Sequence, residues 1–598
     1  MRPVTRLAAA ALRLPPAHTG RVTVARGLPV RVRDGVALRT DHYAPERSDA
    51  PTVLIRTPYG RGGPMRLLGR LLAERGFHVV VQSCRGTYGS GGTFNPLVHE
   101  RDDGLDTLDW LRRQPWYSGA FGSFGVSYQG FVQWAIAGEA GDELRAMVAV
   151  VTASATRDST YAGEAFALDT VLTWAELLQA QTVPWLARQW ELKRGQPRLA
   201  AGLAHLPLVE ADRVATGVTV PFFQEWLTHH TPNADYWRAR IFDDAVARVR
   251  APVAMVSGWH DIFLPAQLAD YAALRAAGRR PRLVIGPWTH GSPGLLAAAL
   301  REGLAWLDTH LAPNRSRPAR EPAREPAREP APEPARPVAA EPTSAPARAV
   351  VASPVPEPDA AAVATAEPVR VHVGGAGGGW RDLPDWPPPA TVTPWHLHPR
   401  GGLSTRPPVP SPADAIWYDP ADPTPSLGGP LLVAQRAGPV DNRLIEARPD
   451  VLTYTSDPLV APVEVAGPVS ARIHVRSDLP HLDVFVRLCD VDRRGRSWNV
   501  CDGLVRVSPE RFRSGPDGAV CVPVTLWPAA HRFAPGHRLR VHVTGGAHPR
   551  YARNPGSGEP LGTAVTLRAG RRVILHDPEH PSAVFLPVIQ SGPMGRPM

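Results

Sequence analysis

Three short segments of the chain place a serine, an aspartate and a histidine where they could act together. In chain order they read Phe-Gly-Val-Ser-Tyr-Gln-Gly, Ser-Gly-Trp-His-Asp and Gly-Pro-Trp-Thr-His, and they contain Ser127, Asp261 and His290. A serine hydroxyl is a poor nucleophile at neutral pH, so it needs a histidine to take its proton and a carboxylate to orient that histidine. The pattern predicts nucleophilic catalysis, with Ser127 as nucleophile, His290 as base and Asp261 as the orienting carboxylate.

The segment around Ser127 departs from the common Gly-x-Ser-x-Gly nucleophile elbow, whose glycines permit a strained strand-to-helix turn. Position 129 is a glutamine, and the second glycine falls one residue later, at Gly130. Alone, this hexapeptide is weak evidence for a catalytic nucleophile, because a serine between glycines is commonly a helix cap or a turn residue. The prediction therefore depends on the two downstream partners.

The elements around these segments predict a mostly parallel sheet covered by helices. Short apolar or β-branched runs are typical of buried strands, and they occur at 51–56, 78–82, 121–126, 251–256 and 282–285. Helical patterns separate them at 65–75, 102–113 and 131–137. Because sites of open α/β sheets lie at the carboxyl ends of the strands, Ser127, Asp261 and His290 are expected to meet at one edge.

Between 151 and 237 the strand signals fade and tryptophans appear among helical patterns, which predicts a helical cap inserted into the sheet domain. We expect the sheet domain to comprise residues 24–150, 238–312 and 369–389. A segment at 313–368 is dominated by Pro, Ala, Arg and Glu and predicts a disordered linker. Alternating runs after residue 390 predict an all-β domain at 390–598, a sandwich of jelly-roll type. The fold class is thus α/β, with a cap and a C-terminal β-sandwich.

At this point the sequence resembles a known family, the cocaine-esterase and X-Pro dipeptidyl-peptidase group of serine hydrolases, also called CocE/NonD hydrolases. The matching segments, apart from those around the serine, aspartate and histidine, are Val32–Gly35, Arg56–Tyr59, Arg85–Gly92, Trp380–Asp382, Tyr418–Pro423, Cys501–Gly503 and Pro578–Pro581. The resemblance implies an α/β-hydrolase core, a helical cap and a galactose-binding-like jelly roll. It implies the same Ser-His-Asp triad, and an oxyanion hole formed by the Tyr59 hydroxyl and the backbone N–H of Tyr128.

Several substrates remain open, because members of this family hydrolyse esters, X-Pro peptides, amides or β-lactams with one triad. A peptidase acting on free N-termini should present a carboxylate to the substrate ammonium, for which Glu164, Asp169 and Glu176 are possible. We favour a carboxylic-ester hydrolase, with X-Pro dipeptidyl-peptidase as the alternative. Acyl transfer to another acceptor is also chemically allowed, and a non-catalytic binding or scaffold protein is the alternative from another class. The cap residues Trp174, Trp185 and Trp190 are candidates for the walls of the acyl pocket.

No metal or other cofactor is expected. Cys489, Cys501 and Cys521 form no Cys-x-x-Cys pair and are interpreted as small core residues rather than ligands. The acidic run at 102–109 is interpreted as a solvated helix face near a helix N-terminus. Four cysteines in 598 residues form no disulfide framework, which favours a reducing, cytoplasmic location.

Composition bears on possible partners. The 66 Lys and Arg residues against 56 Asp and Glu give a net charge of +10, but nearly all are arginine and no basic block is typical of a phosphate-binding patch. We therefore expect no nucleic-acid partner. No run approaches the roughly 20 apolar residues of a membrane span. The expected partner is a small ester or short peptide substrate, and a homo-oligomer is plausible.

Overall fold

The computed structural model describes residues 3–179, 185–231, 235–312 and 367–590, without the side chains of 185–194. The predicted linker, 313–368, therefore lies outside the described residues except for its last two. The side chains of Trp185 and Trp190 also lie outside them.

A ten-stranded mixed sheet forms the first domain. Its strands are β1 (Val22–Arg31), β2 (Ala37–Pro45), β3 (Thr52–Thr57), β4 (His78–Ser83), β5 (Phe121–Val126), β6 (Leu144–Val150), β9 (Val253–His260), β10 (Arg282–Thr289), β11 (Val369–Val373) and β12 (Gly379–Leu383). Their order across the sheet is β1-β2-β4-β3-β5-β6-β9-β10-β11-β12. The seven strands from β4 to β11 run parallel, and antiparallel strands close both edges. The parallel centre matches the predicted α/β architecture.

Helices cover both faces of this sheet. They are α1 (Pro3–Ala11), α2 (Gly63–Ala73), α3 (Glu100–Arg112), α4 (Tyr128–Ala137), α12 (Leu264–Ala276) and α13 (Pro293–His310). Successive strand residues point to opposite faces, so neighbours in one strand enter two different cores. Val79 and Val81 pack in the core with α2 and α13, whereas Val80 packs in the core with α3, α4 and α12. The central strands are buried on both sides, which explains why their sequences are continuously apolar.

The segment between β6 and β9 is mainly helical, as predicted for a cap. It contains α5 (Arg157–Thr160), the hairpin strands β7 (Tyr161–Ala162) and β8 (Ala165–Phe166), α6 (Leu168–Gln179), α7 (Trp185–Ala204), α8 (Ala211–Thr216), α9 (Pro221–Thr228), α10 (Asp235–Arg238) and α11 (Asp243–Val246). Its apolar core is continuous with Tyr128 and Phe131 of α4. The cap therefore packs directly over the start of the helix that follows Ser127.

In its described residues, the C-terminal domain is all-β apart from the short helix α14 (Arg443–Glu446) and one 3-10 turn. Its strands are β13 (Thr391–His398), β14 (Gly402–Ser404), β15 (Asp414–Tyr418), β16 (Val451–Thr455), β17 (Val463–Gly467), β18 (Ser470–Ser477), β19 (Leu482–Val491), β20 (Ser497–Val507), β21 (Val520–Thr525), β22 (Ala529–Phe533), β23 (Arg538–Thr544), β24 (Gly570–Leu575) and β25 (Ala583–Val588). Nearly all pairings are antiparallel, and alternate residues fill one central core. This confirms the predicted all-β domain.

Short 3-10 turns occur at Gly141–Glu143, Leu208–Glu210 and Pro399–Gly401. Among the described residues, no helix combines the length and apolarity needed to cross a membrane.

Candidate functional site

Ser127 occupies a strained turn between β5 and α4. Its backbone has φ 60° and ψ −125°, a conformation that a non-glycine residue rarely adopts. Such strain is characteristic of a nucleophile elbow, which projects the serine hydroxyl above the sheet. The turn is fixed by a hydrogen bond from the Ser127 N–H to the Val150 carbonyl, 2.9 Å.

The two glycines around this turn are required by close approach of neighbouring atoms. A Cβ on Gly125 would lie 2.2 Å from the Gln129 carbonyl oxygen, and a Cβ on Gly130 would lie 2.3 Å from Cγ2 of Thr152. The second glycine therefore stands at 130 because that is where α4 passes the chain leaving β6. The side chain of Gln129 is buried, and its amide lies 3.2 Å from the Thr57 hydroxyl.

Asp261 and His290 follow directly after β9 and β10, and the structure brings both to Ser127. His290 Nε2 lies 3.1 Å from Ser127 Oγ, and His290 Nδ1 lies 2.7 Å from Asp261 Oδ2. Strands β9 and β10 are longer than the sequence patterns indicated, because their parallel pairing continues through Gly258 and Gly286. Their longer ends carry the two side chains to the same edge as the elbow.

Asp261 is fully buried and held by more than the histidine. The Phe263 N–H donates to Asp261 Oδ1 at 2.8 Å, and the indole N–H of Trp527 donates to the Asp261 carbonyl at 3.1 Å. Trp527 belongs to the C-terminal domain, between β21 and β22. The ring of Phe263 packs against that of His290, with centroids 5.8 Å apart. The arrangement fixes both the carboxylate and the imidazole before substrate binds.

Tyr59 and Tyr128 line the same pocket as Ser127. The Tyr59 hydroxyl accepts a hydrogen bond from the indole N–H of Trp174 at 3.2 Å. Tyr128 is the first residue of α4, where backbone N–H groups have no partner within the helix. A hydroxyl and a backbone N–H at this place can both donate to an oxyanion formed at Ser127.

The side chain of Tyr128 is anchored beneath the pocket by a buried polar group. Its hydroxyl donates to Glu100 Oε1 at 2.9 Å and accepts from the Leu97 N–H at 2.8 Å. The other Glu100 oxygen pairs with Arg56 at 3.0 Å. Burial, reinforced by the Glu100 charge, holds the pKa of Tyr128 far above its usual value, so the phenol stays a neutral donor. The sequence pattern did not indicate Glu100.

An apolar pocket lies over Ser127, and its volume is about 600 Å³ when the solvent-filled space at its mouth is included. Aromatic walls come from both the core and the cap, and they include Tyr128, Phe131, Trp174, Trp226 and Phe263. Trp174 thus lines the pocket, as its candidate role required. Other polar lining groups are hydroxyls, such as those of Thr156 and Ser159. Pockets of this kind enclose the apolar part of a small ligand and orient it by a few polar groups.

The three cap carboxylates considered for binding an ammonium group do not line this pocket. Asp169 is buried and pairs with Arg436 at 2.7 Å, and Glu164 pairs with Arg157. Burial raises the pKa of Glu176, with Arg436 acting against the shift. Two of the three carboxylates are therefore already committed to arginines of the protein itself.

One group of side chains in the described part of the C-terminal domain could hold a metal ion by distance alone. His542 Nε2 lies 2.8 Å from Glu446 Oε1 and 3.7 Å from Cys489 Sγ. However, Arg540 pairs with the other Glu446 oxygen. Burial also raises the pKa of Cys489 to about 12, which opposes the thiolate form that metals bind. The donor set fits a hydrogen-bonded cluster better than a cation site.

Comparisons with known proteins extend over both domains. The family model described as "X-Pro dipeptidyl-peptidase (S15 family)" matches residues 34–292, and that described as "X-Pro dipeptidyl-peptidase C-terminal non-catalytic domain" matches residues 361–585. Cocaine esterase from Rhodococcus sp. (strain MB1 Bresler) is 31% identical over 613 residues, covering 96% of this chain and 99% of that protein.

Solved structures give the same fold. An alpha-amino acid ester hydrolase superposes with a TM-score of 0.73 at 22% identity, and an aminopeptidase from a marine-sediment Thaumarchaeota archaeon with 0.74 at 21% identity. Each alignment covers 96% of this chain and 98% of the other. Because the two family models match both domains and a 31% identical relative matches nearly the whole length, the chain belongs to the cocaine-esterase and X-Pro dipeptidyl-peptidase (S15, CocE/NonD) family of serine hydrolases.

Proposed function

We propose that this hydrolase cleaves carboxylic esters through an acyl-enzyme on Ser127. The observation that carries the proposal is the continuous hydrogen-bonded row from Ser127 Oγ through His290 to Asp261, at the floor of an apolar pocket. A serine whose proton can pass to an oriented imidazole is the arrangement that nucleophilic acyl transfer needs.

In the first step Ser127 Oγ attacks the ester carbonyl carbon while its proton passes to His290 Nε2. Asp261 accepts a hydrogen bond from Nδ1–H, which fixes the tautomer and stabilises the imidazolium. The C–O bond to the alcohol then breaks, and His290 returns the proton to the departing oxygen. The acyl group remains on Ser127.

Negative charge develops on the carbonyl oxygen during this attack, and the Tyr59 hydroxyl and the Tyr128 N–H are the donors we assign to it. Such a donor contributes roughly 3 to 4 kcal/mol to transition-state stabilisation. In the second step, water attacks the acyl-enzyme with His290 again as base, which releases the acid and regenerates Ser127. We assign Trp174 to the wall of the acyl pocket, where its indole also positions the Tyr59 hydroxyl.

The pocket favours an ester over a peptide with a free N-terminus. Among the described residues, no Asp or Glu lines the pocket over Ser127. A substrate ammonium group buried there would lack a counter-charge, which costs several kcal/mol. An uncharged acyl group of an ester has no such requirement.

The experiment compares p-nitrophenyl esters with an X-Pro p-nitroanilide, using wild type and Ser127→Ala at pH 7 to 8. Ester turnover that is lost in the variant, without anilide release, is the expected result. Preferential anilide release would replace the proposal with X-Pro dipeptidyl-peptidase activity. Folded wild-type protein that hydrolyses no ester would contradict it, and product formed with an added alcohol or amine acceptor would reveal acyl transfer instead.

A further inference from the structure

A second, larger cavity adjoins the pocket over Ser127. It is an open groove between helix α12, the cap hairpin β7–β8 and the C-terminal domain, and its volume is about 1760 Å³ when the solvent-filled space at its mouth is included. Its lining is mostly apolar, and includes Leu268, Trp386, Phe512, Leu526 and Trp527. No feature of the triad or oxyanion hole requires a cavity of this size at this place.

Two residues line both the groove and the pocket over Ser127. They are Ser159 at the end of the cap helix α5 and Ile262, which follows Asp261 directly in the chain. Ile262 is buried, and Ser159 is half-buried. The two cavities therefore share these two side chains as a common wall. An acyl chain that extends from Ser127 reaches the groove by passing this wall.

We propose that the groove is a second acyl subsite, which holds the distal part of a long apolar acyl group whose carbonyl is bound at Ser127. The inference rests on the proposed ester hydrolysis and specifies its substrate class. The acyl group is the part that stays covalently attached to Ser127 between the two steps, so it needs an enclosed binding surface. The alcohol must depart after the first step.

The chemistry of the groove suits such a chain. Most of its lining is aliphatic or aromatic. Its charged lining residues are Asp158, Glu164 and Arg511, of which Asp158 and Arg511 are exposed and Glu164 is half-buried. Glu164 is also neutralised by Arg157. Burial of one methylene group contributes about 0.8 kcal/mol, which corresponds to about a fourfold gain in kcat/KM per methylene.

Helix α12 offers a matched pair of variants that test the groove without touching the triad. Ala269 lines the groove and is exposed, whereas Ala276 is exposed on the same helix and does not line it. Ala269→Trp places a large side chain in the groove, and Ala276→Trp adds the same side chain elsewhere. Ala272→Trp, one turn further along the groove wall, serves as a second filling variant.

The measurement is kcat/KM for p-nitrophenyl esters from acetyl to dodecanoyl, so that only the acyl chain varies. Wild type and Ala276→Trp are expected to gain about fourfold per methylene until the chain fills the groove. Ala269→Trp and Ala272→Trp are expected to match them on the acetyl ester and to fall at least about tenfold on the dodecanoyl ester.

If Ala269→Trp and Ala272→Trp have the same kcat/KM as Ala276→Trp at every acyl chain length, the inference is overturned. Turnover of the acetyl ester in the same experiment would still support the proposed function. A wild type that prefers acetyl over longer esters would overturn it equally. If folded wild type hydrolyses no ester, the proposed function fails and the acyl subsite fails with it. A parallel series of acetyl esters varies only the alcohol chain. If Ala269→Trp and Ala272→Trp lose kcat/KM as the alcohol chain lengthens, the groove binds the alcohol and the assignment to the acyl group is wrong.

Discussion

Among single residues, the two groups that we propose as oxyanion donors are held in different ways. The Tyr128 N–H is part of the backbone at the start of α4, and its side chain is anchored by Glu100. The Tyr59 hydroxyl stands at the end of a side chain and is oriented by Trp174. Removal of the hydroxyl therefore tests the oxyanion hole without disturbing the turn that carries Ser127.

We predict that Tyr59→Phe lowers kcat by about 10²- to 10³-fold with little change in KM, because the hydroxyl acts mainly on charge that develops in the transition state. Steady-state kinetics on one short p-nitrophenyl ester measure this. Trp174→Phe is the control, since it removes the hydrogen bond to Tyr59 but leaves the hydroxyl in place. Equal, small losses in both variants would show that Tyr59 is not an oxyanion donor.

At the scale of elements, much of the site could be predicted because Asp261 and His290 each follow a strand of the parallel sheet directly. The carboxyl ends of parallel strands meet at one edge, so the chain positions alone indicated a common site. The displaced glycine at 130 could not be explained from sequence, because its reason is the approach of Thr152 from β6. The sequence patterns also underestimated the lengths of β9 and β10, because pairing between the two strands, and not their composition, extends them.

We predict that Gly125→Ala disrupts the elbow, because the new Cβ would meet the Gln129 carbonyl oxygen at 2.2 Å and backbone must move. The expected cost is about 1 to 3 kcal/mol of stability, together with a fall in kcat/KM. Thermal unfolding and ester kinetics measure both. Gly62→Ala is the control, since its φ is −87° and a Cβ there has open space. Similar behaviour of the two variants would contradict the packing argument.

Helix α12 carries a buried carboxylate that predicts pH-dependent stability. Asp270 accepts hydrogen bonds from the N–H and hydroxyl of Ser154, in the chain after β6. Burial outweighs these bonds and raises the pKa of Asp270 from 3.8 to about 7. The folded state therefore binds the Asp270 proton more tightly than the unfolded state does. The stability that this proton contributes is fully present below pH 4 and is lost as the pH rises towards 7.

We therefore predict that Asp270→Asn gains stability relative to wild type as pH rises from 4 to 8, by up to about 4 kcal/mol. The asparagine resembles the protonated carboxyl and has no charge to bury. Melting temperatures of both proteins across this range measure the difference. A difference that stays constant from pH 4 to pH 8 would show that Asp270 does not titrate as its burial requires.

At the scale of the whole molecule, the C-terminal domain supports the site rather than merely following it in the chain. The Trp527 indole donates to the Asp261 carbonyl across 266 residues of sequence, and Arg506 N–H donates to the carbonyl of Gly163 in the cap hairpin. The all-β character of this domain could be predicted from its alternating runs. Its contacts with the site could not, because no local pattern connects Trp527 with Asp261.

A buried charge cluster lies behind Trp527. Asp502 pairs with Arg487 at 2.8 Å and also with Arg550, whose guanidinium lies 4.8 Å from the Trp527 ring centroid. Burial acts to raise the pKa of Asp502, but the two arginines outweigh it and leave the pKa below its usual value. All three side chains are almost completely buried. Asp502 is thus the one carboxylate of this three-residue cluster, and both ion pairs require it.

We predict that Asp502→Asn destabilises the protein by about 3 to 5 kcal/mol, since it removes the carboxylate that pairs with two buried guanidinium groups. Urea unfolding followed by tryptophan fluorescence measures this. Asp517→Asn is the control, because Asp517 pairs with Arg476 at the surface of the same domain and little change is expected. Equal effects of the two substitutions would contradict the role assigned to the cluster.

Ester hydrolysis by this protein, as we propose it, depends on an acyl-enzyme at Ser127, and the site of covalent modification by a fluorophosphonate identifies the nucleophile. Wild-type protein is labelled, digested and analysed by peptide mass spectrometry, with Ser127→Ala treated in parallel. We predict one adduct, on Ser127, which appears as ester hydrolysis is lost and is missing in Ser127→Ala. An adduct on another serine, or ester hydrolysis that persists in folded Ser127→Ala, would show that Ser127 is not the nucleophile.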